Sequence, residues 1–298
     1  MDFGIDLPVS GPFASPEAIV CMAIEAERLG YAAVWTYERM LYPAGEQTIP
    51  DFAFYRSGTY EPLETLSYIA AKTERIKLGT SIITAPFHVP VLLARRFATL
   101  DQLSGGRVLA GLGQGWMEQE FAAANVSMRN RGKKVEEFIS AMRAAWGPDP
   151  VNYQGRFYQI PLSNNDPKPV QEGGIPILLG TFAQAGIERA ARLADGLVLI
   201  GLSVEQIQQT VSSLRTAAVA AGRDPGSLQV VVRVNVPITA DPLPERDRPF
   251  LGGEASQIAK DVDLLRSLAV DHVLFSDRAS PTLDEAMQRL AALRAALW

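Results

Sequence analysis

The residues best suited to chemistry in this chain are glycines set beside polar and aromatic neighbours. One group reads Gly111-Leu112-Gly113-Gln114-Gly115-Trp116, and a second reads Gly180-Thr181-Phe182-Ala183. Spaced glycines let backbone approach a flat ligand closely, and Trp116 is available as a wall beside it. A tight strand-to-helix turn would use the same residues. The order is not a dinucleotide fingerprint, because Trp116 stands where a glycine would be needed, and a P-loop would require a lysine that is absent. In the second group, unpaired amides ahead of a helix, the positive end of its dipole and the Thr181 hydroxyl suit a phosphate. Thr181 would equally serve as a helix cap.

Other chemistries are thinly supplied. The chain has two histidines, His88 and His272, and one cysteine, Cys21, so no metal centre, catalytic triad or intrachain disulfide is expected. His88 follows the third strand, within Thr84-Ala85-Pro86-Phe87-His88-Val89-Pro90, and either contacts substrate or cofactor or anchors its loop. His272 opens the eighth strand and reads as structural. Lys77 reads as a solvated strand end rather than a Schiff-base lysine, and Cys21 as a buried packing residue of the first helix.

These groups need a scaffold, and the hydrophobic pattern supplies one. Short apolar runs fall at 2–7, 33–36, 76–83, 107–111, 175–179, 196–200, 228–236 and 272–275. Most are continuously apolar, as strands buried on both faces must be. Between them lie helical patterns at 16–29, 62–72, 91–103, 133–145, 184–194, 204–221, 255–268 and 281–297. Ser15 ahead of Pro16 and Glu17 can start the first helix, Gly30 can end it, and Gly222 can end the sixth. Eight strand-helix units predict an α/β fold, a closed (β/α)8 TIM barrel, whose active site lies at the carboxyl ends of its strands. A doubly wound open sheet would show a glycine-rich turn after its first strand, where this chain reads Asp6-Leu7-Pro8-Val9-Ser10.

The 298 residues slightly exceed the roughly 250 typical of such a barrel, and predict one domain with insertions at 37–60, 146–174 and 237–252. The second insertion predicts a hairpin turning at Gln154-Gly155, and the third an exposed, lid-like loop. A net charge of −5 with no evident basic stripe argues against nucleic acid and for a small-molecule partner. No segment has the length of a membrane span and no targeting pattern opens the chain, which predicts a cytoplasmic protein.

Longer stretches carry a resemblance. Leu78-Gly79-Thr80-Ser81-Ile82, Phe97 through Arg107, and Gly111 through Trp116 resemble the bacterial luciferase-like oxidoreductases, especially the branch that uses coenzyme F420. Pro167 through Gln171, Ile175 through Gly180 and Ala190 through Gly196 extend the match in the expected order. The resemblance implies a homodimeric barrel that binds F420, with FMN the alternative, and passes hydride between the ring and an organic substrate. It implies that Ser81 and Ile82 form a bulge behind the ring, joined by a non-proline cis peptide bond. Gly113, Gln114, Gly115, Trp116, Gly180, Thr181 and Phe182 would complete the cofactor site.

The chain departs from the family after the second strand. Many relatives place Asp-His near the ring, whereas here the stretch reads Trp35-Thr36-Tyr37-Glu38-Arg39. Glu38 becomes the first candidate for the acid, with Tyr37 and His88 behind it. Arg39, always protonated, would neutralise an anionic ring, phosphate or substrate, although Glu38 and Arg39 would also suit a surface ion pair. Glu118 and Glu120 read as starting or capping a helix. Arg278, beyond the eighth strand, is a candidate substrate contact or a solvated turn. Phe52, Phe54 and Tyr55 suggest a hydrophobic substrate or a subunit contact. Other readings are an FMN-dependent monooxygenase, a non-redox lyase or isomerase holding a phosphorylated metabolite at Gly180-Thr181, and a ligand-binding barrel.

Overall fold

Apolar runs become parallel strands here because helices cover their outer faces and side chains fill the space they enclose. The computed structural model describes residues 1–44, 54–55 and 58–298. Within the first insertion, Phe52 lies outside the described residues.

The first half of the chain forms β1 (Asp2–Asp6), α1 (Pro16–Leu29), β2 (Ala33–Thr36), α2 (Pro62–Ala70), β3 (Lys77–Thr80), β4 (Ile83–Thr84), α3 (Pro90–Ser104), β5 (Val108–Gly113), α4 (Glu118–Ala123) and α5 (Arg131–Trp146). There follow β6 (Val151–Gln154), β7 (Gln159–Ser163), β8 (Ile177–Gly180), α6 (Gln184–Leu193), β9 (Gly196–Ile200), α7 (Val204–Ala220), β10 (Gln229–Val234), α8 (Ala255–Ser267), β11 (His272–Phe275) and α9 (Leu283–Leu297). The main sheet runs β3-β2-β1-β11-β10-β9-β8-β5-β4, and pairing of β3 with β5 closes it. The result is a (β/α)8 TIM barrel whose third stave is split into β3 and β4. β6 and β7 form the expected antiparallel hairpin outside it, turning over Gly155 to Tyr158.

The caps act as read. Ser15 Oγ accepts the Ala18 amide at 3.1 Å, and Gly30 ends α1 in the left-handed region. Two features differ from expectation. The buried stripe of α1 runs through Ala18, Ile19, Met22, Ala23 and Ala26, which turns Cys21 outward, so it is exposed rather than packed. The 237–252 segment is not a loose lid: Arg248 donates to both carboxylate oxygens of Asp261 on α8, at 2.5 and 3.0 Å, and Leu251 is buried.

Alternate strand residues point into the barrel, where Ala33, Trp35, Leu109, Leu178, Val198, Val231 and Leu274 form a separate apolar plug. Trp35 is its largest member. A methyl group added at Gly79 would strike the Trp35 ring, so the small residue on β3 makes room for the large one on β2. His272 sits at the amino-terminal end of this plug, with Trp35 Nε1 donating to its Nε2 at 3.3 Å. Burial, reinforced by Lys77 and the amino terminus, pushes the His272 pKa down to about 3, so the native ring is neutral. Among the described residues no helix is long and apolar enough to cross a membrane, and no cluster of side chains suits a metal ion.

The His272 environment makes stability depend on pH. The unfolded ring takes up a proton below its ordinary pKa near 6.5, which the native ring refuses until about pH 3, so stability is lost as pH falls through that window. Between pH 7 and pH 5 the protein should lose about 2 kcal/mol more than a His272→Gln variant, whose side chain can still accept from Trp35. Urea midpoints at the two pH values check this, and parallel pH slopes would refute it.

Candidate active site

A cavity of about 430 Å³ opens at the carboxyl ends of the strands. Its lining includes Tyr37, Glu38 and Arg39 after β2, Ser81 and Ile82 between β3 and β4, and Gly113 through Trp116 at the end of β5. Gly180 through Ala183 after β8, Val198 and Ile200 of β9, and Arg233 and Asn235 of β10 complete most of the wall. The two glycine groups and the segment after β2 therefore do converge.

The split in the third stave builds the floor. Between Gly79, opposite Leu109, and Ile83, opposite Leu112, the third strand carries one residue more than its partner, the signature of a bulge. The Ser81–Ile82 bond is cis. Ser81 N donates to Thr36 O at 2.6 Å, and Glu38 N to Ile82 O at 3.1 Å, so the bulge is tied to the end of β2. The Ser81 hydroxyl is buried with no partner among the described residues.

The glycines make room for this bulge as well as lining the cavity. A methyl carbon on Gly113 would lie 2.5 Å from Ile82 Cδ1, one on Gly180 would lie 3.1 Å from Ile82 Cγ2, and one on Gly111 would strike Thr80 O. Gly113 is moreover the last residue of β5, not part of a loop. Gly115 does turn in the left-handed region, where Thr84 and Phe121 occupy the space beside it. What the cavity receives is Ile82, set between two glycine strands as an apolar step.

Beneath that step lies a residue that nothing in the sequence singles out. Arg233 of β10 is 5% exposed and lines the cavity. It donates to the Ser81 carbonyl, to Asp6 Oδ2 of β1 and, through Nε, to Asn235 Oδ1 at 2.9 Å. Its guanidinium also lies 4.9 Å from the centre of the Tyr37 ring. Burial raises the Asp6 pKa, opposed by the Arg233 charge. The period-2 pattern would have placed an inward arginine here, but an apolar run reads through it.

The acid candidates separate sharply. Glu38 faces the cavity with both oxygens engaged: Oε1 lies 2.6 Å from His88 Nε2, and Oε2 accepts the Thr84 amide at 2.7 Å. His88 does not line the cavity but stands behind Glu38. Tyr37 presents its ring, while its hydroxyl lies 2.6 Å from Ser10 Oγ, and burial raises its pKa, so the phenol is protonated near neutrality.

Arg39 is not paired with Glu38. It donates to Glu120 Oε2 at 2.7 Å and lies over the Tyr55 and Trp116 rings at 5.0 and 5.3 Å. Glu120 lies in the first turn of α4, as expected, but does more than start the helix. It is buried, and its Oε1 accepts the Met40 amide at 2.8 Å, fastening the segment after β2 to α4. Burial raises its pKa, opposed by Arg39. Glu118 is exposed and is the first residue of α4, as read.

Thr181 lines the cavity and packs against Gly186 of α6, whose N-cap residue is Ala183 with no side-chain cap, so Thr181 is not the cap. Phe182 and Trp116 stand at the mouth, 67% and 47% exposed. Arg131, the first residue of α5, also lines it and escaped the sequence reading. Arg278 does not reach the cavity. Its Nη2 donates to Tyr55 Oη at 2.9 Å and its guanidinium lies 4.9 Å from the Phe54 ring, so it braces these two aromatic residues.

A sequence profile described as luciferase-like monooxygenase matches residues 3–246. The chain belongs to the luciferase-like monooxygenase family. This luciferase-like protein is 32% identical over 307 residues to the uncharacterized protein Rv0953c of Mycobacterium tuberculosis, covering 98% of both chains. It is 32% identical to the FMNH2-dependent dimethylsulfone monooxygenase of Pseudomonas putida over 63% of this chain and 51% of that one. With the F420-dependent glucose-6-phosphate dehydrogenase of Nocardia farcinica it shares 31% identity over 60% of this chain and 55% of that one. The crystal structure of the monooxygenase RslO1 from Streptomyces bottropensis superposes with a TM-score of 0.84 and 25% identity, covering 100% of this chain and 98% of that one. Relatives thus use either F420 or FMNH2.

Two substitutions probe the architecture. Arg39→Met leaves Glu120 buried without its cation and should cost on the order of 2–3 kcal/mol; adding Glu120→Gln should recover part of this, measured by urea denaturation. Gly113→Val should displace Ile82 and destabilise the fold by about 1–3 kcal/mol, an overpacking cost that Ile82→Ala on the same chain relieves. A Gly113→Val protein as stable as its parent would refute the step.

Proposed function

We propose that this protein is an F420-dependent oxidoreductase that moves hydride between the deazaflavin and a small organic substrate, a carbonyl/alcohol pair or an activated alkene. The observation that carries this reading is the cavity itself: an apolar step at Ile82, flat aromatic walls at the mouth, and positive groups in the lining, Arg131 and the uncapped start of α6. A fused ring bearing a phosphorylated side chain matches that division of apolar and positive surface. Ser81, with its unsatisfied hydroxyl, and Ile82 would lie against the ring; Gly113, Gln114, Gly115 and Trp116 would flank it; Gly180, Thr181, Phe182 and Arg131 would hold the phosphate.

When bound, the deazaflavin supplies a carbon that gives or takes a hydride, which the protein itself lacks. Reduction of a carbonyl also needs a proton at oxygen, and Glu38 is the carboxyl group placed to handle it. His88 Nε2, 2.6 Å behind Glu38 Oε1 and partly exposed, can exchange that proton with solvent. Tyr37 serves as a wall, Arg39 as a fixed positive charge, and Arg278 as a brace for Tyr55.

A second reading, an FMN-dependent monooxygenase, is favoured by the likeness to the dimethylsulfone enzyme. Titration with F420 and with FMN, followed by ring fluorescence, separates the two. F420 should bind more tightly, and Glu38→Gln should slow turnover with F420 by about a hundredfold or more while leaving cofactor affinity nearly unchanged. Tighter binding of FMN, with oxygen consumed by the reduced flavin complex, would overturn the F420 reading.

A further inference from the structure

The segment entering α5 reads Arg129-Asn130-Arg131-Gly132-Lys133-Lys134, the densest run of positive charge in a chain whose net charge is −5. Its placement opposes ordinary helix design. Arg131, Lys133 and Lys134 occupy the start of α5, the first turn holds no acidic residue, and Asn130 makes no side-chain cap. Cations at this end work against the helix dipole, so the local sequence gives up stability there.

Nearby carboxylates do not compensate. Glu136 is taken by Arg192 and Arg189 of α6, at 3.0 and 3.6 Å, and Glu137 accepts the amides of Phe157 and Tyr158 at 2.6 and 2.7 Å. Among the described residues, none of Arg129, Arg131, Lys133 and Lys134 forms an ion pair, and the Lys134 ammonium makes only a 3.4 Å contact to Ser127 O. The contrast with the cavity interior is direct. Arg39 is matched by Glu120 and Arg233 by Asp6, whereas Arg131 lines the same cavity with no carboxylate partner.

The run is also continuous with the end of the site that suits a phosphate. A methyl carbon on Gly132 would lie 2.9 Å from Arg189 Nη2, so the absence of a side chain there lets the first turn of α5 lie against α6, whose uncapped start faces the cavity. Arg129 and Lys133 are exposed, and Arg131 is half-buried at the rim. Positive charge therefore runs from the cavity end outward along the surface.

We propose that residues 129–134 form a rim site for a polyanionic tail, the string of glutamyl carboxylates that F420 carries beyond its phosphodiester. This rests on the F420 reading and deepens it, because FMN ends in a single phosphate that Arg131 and α6 would satisfy, leaving Arg129 and Lys133 unused. Binding along the rim adds contacts between exposed opposite charges, so the gain depends on salt and grows with tail length.

The test uses the full chain and four ligands: the ribityl deazaflavin without phosphate, F420 with a short and with a long glutamyl tail, and FMN. Dissociation constants are read by ring fluorescence at low and high KCl. The long tail should bind more tightly than the short one at low salt, and the Arg129→Gln/Lys133→Gln variant should weaken long-tailed F420 by about fivefold while leaving the bare ring unchanged. Arg129→Glu/Lys133→Glu should weaken it further. Equal affinity for both tail lengths, or a tail preference that survives in both variants, overturns the rim site while leaving the F420 reading standing. Binding of FMN alone overturns the F420 reading and the rim site with it.

Discussion

The active end of this barrel depends on an arginine held inside it. A guanidinium stripped of water is unfavourable unless its donors are used and its charge is met. Arg233 meets both conditions through Asp6, Asn235 and the Ser81 carbonyl, with the Tyr37 ring beside it. These partners come from β1, the third stave, the end of β10 and the segment after β2. One side chain thereby fixes the relative height of four strand ends. The apolar plug around Trp35 closes the barrel below, and Arg233 marks the level at which packing gives way to a cavity. Because the Ser81 carbonyl is one of the partners, the bulge that carries Ile82 belongs to the same network.

Above that network, volume is exchanged between neighbouring strands. Ile82 projects into space that Gly113 and Gly180 leave empty, and Trp35 fills what Gly79 leaves empty. Close packing makes such pairs interdependent, since a methyl group gained on one strand must be lost on the next. The glycines at the ends of β5 and β8 are therefore shaped by protein first. Any ligand meets the product of that exchange, an apolar step with backbone on either side.

Architecture was legible in the sequence to the extent that period and punctuation express it. Short apolar runs, most of them continuous, marked all eight staves, and Ser15 and Gly30 marked the ends of α1, because those signals are local. The break in the third stave was expected only through family resemblance, since nothing in Thr80-Ser81-Ile82-Ile83 distinguishes a bulged run from a straight one. Cavity residues were found where glycine or aromatic groups stood out, as at Gly113 through Trp116 and Gly180 through Phe182. Arg233 and Glu120 were missed because each acquires its meaning from a partner far along the chain: Asp6 and Ser81 for one, Arg39 for the other. Cys21 was misread for a related reason, since the stripe of α1 that faces inward is decided by a few degrees of helix phase.

Pairing also decides where the site can discriminate by charge. Around the cavity Arg39 has Glu120 and Arg233 has Asp6, while Glu120 also accepts the Met40 amide and Glu38 accepts the Thr84 amide. Such closed pairs present little net field to the cavity. The unpaired charge lies at the rim, on Arg131 and its neighbours. On the F420 reading proposed above, the anionic part of the cofactor would be drawn to that periphery and a neutral, largely apolar substrate would enter beside the ring. This separation follows from the distribution of partners alone: the core compensates its charges because burial demands it, and only where water reaches can the chain leave a positive charge open for a ligand to complete.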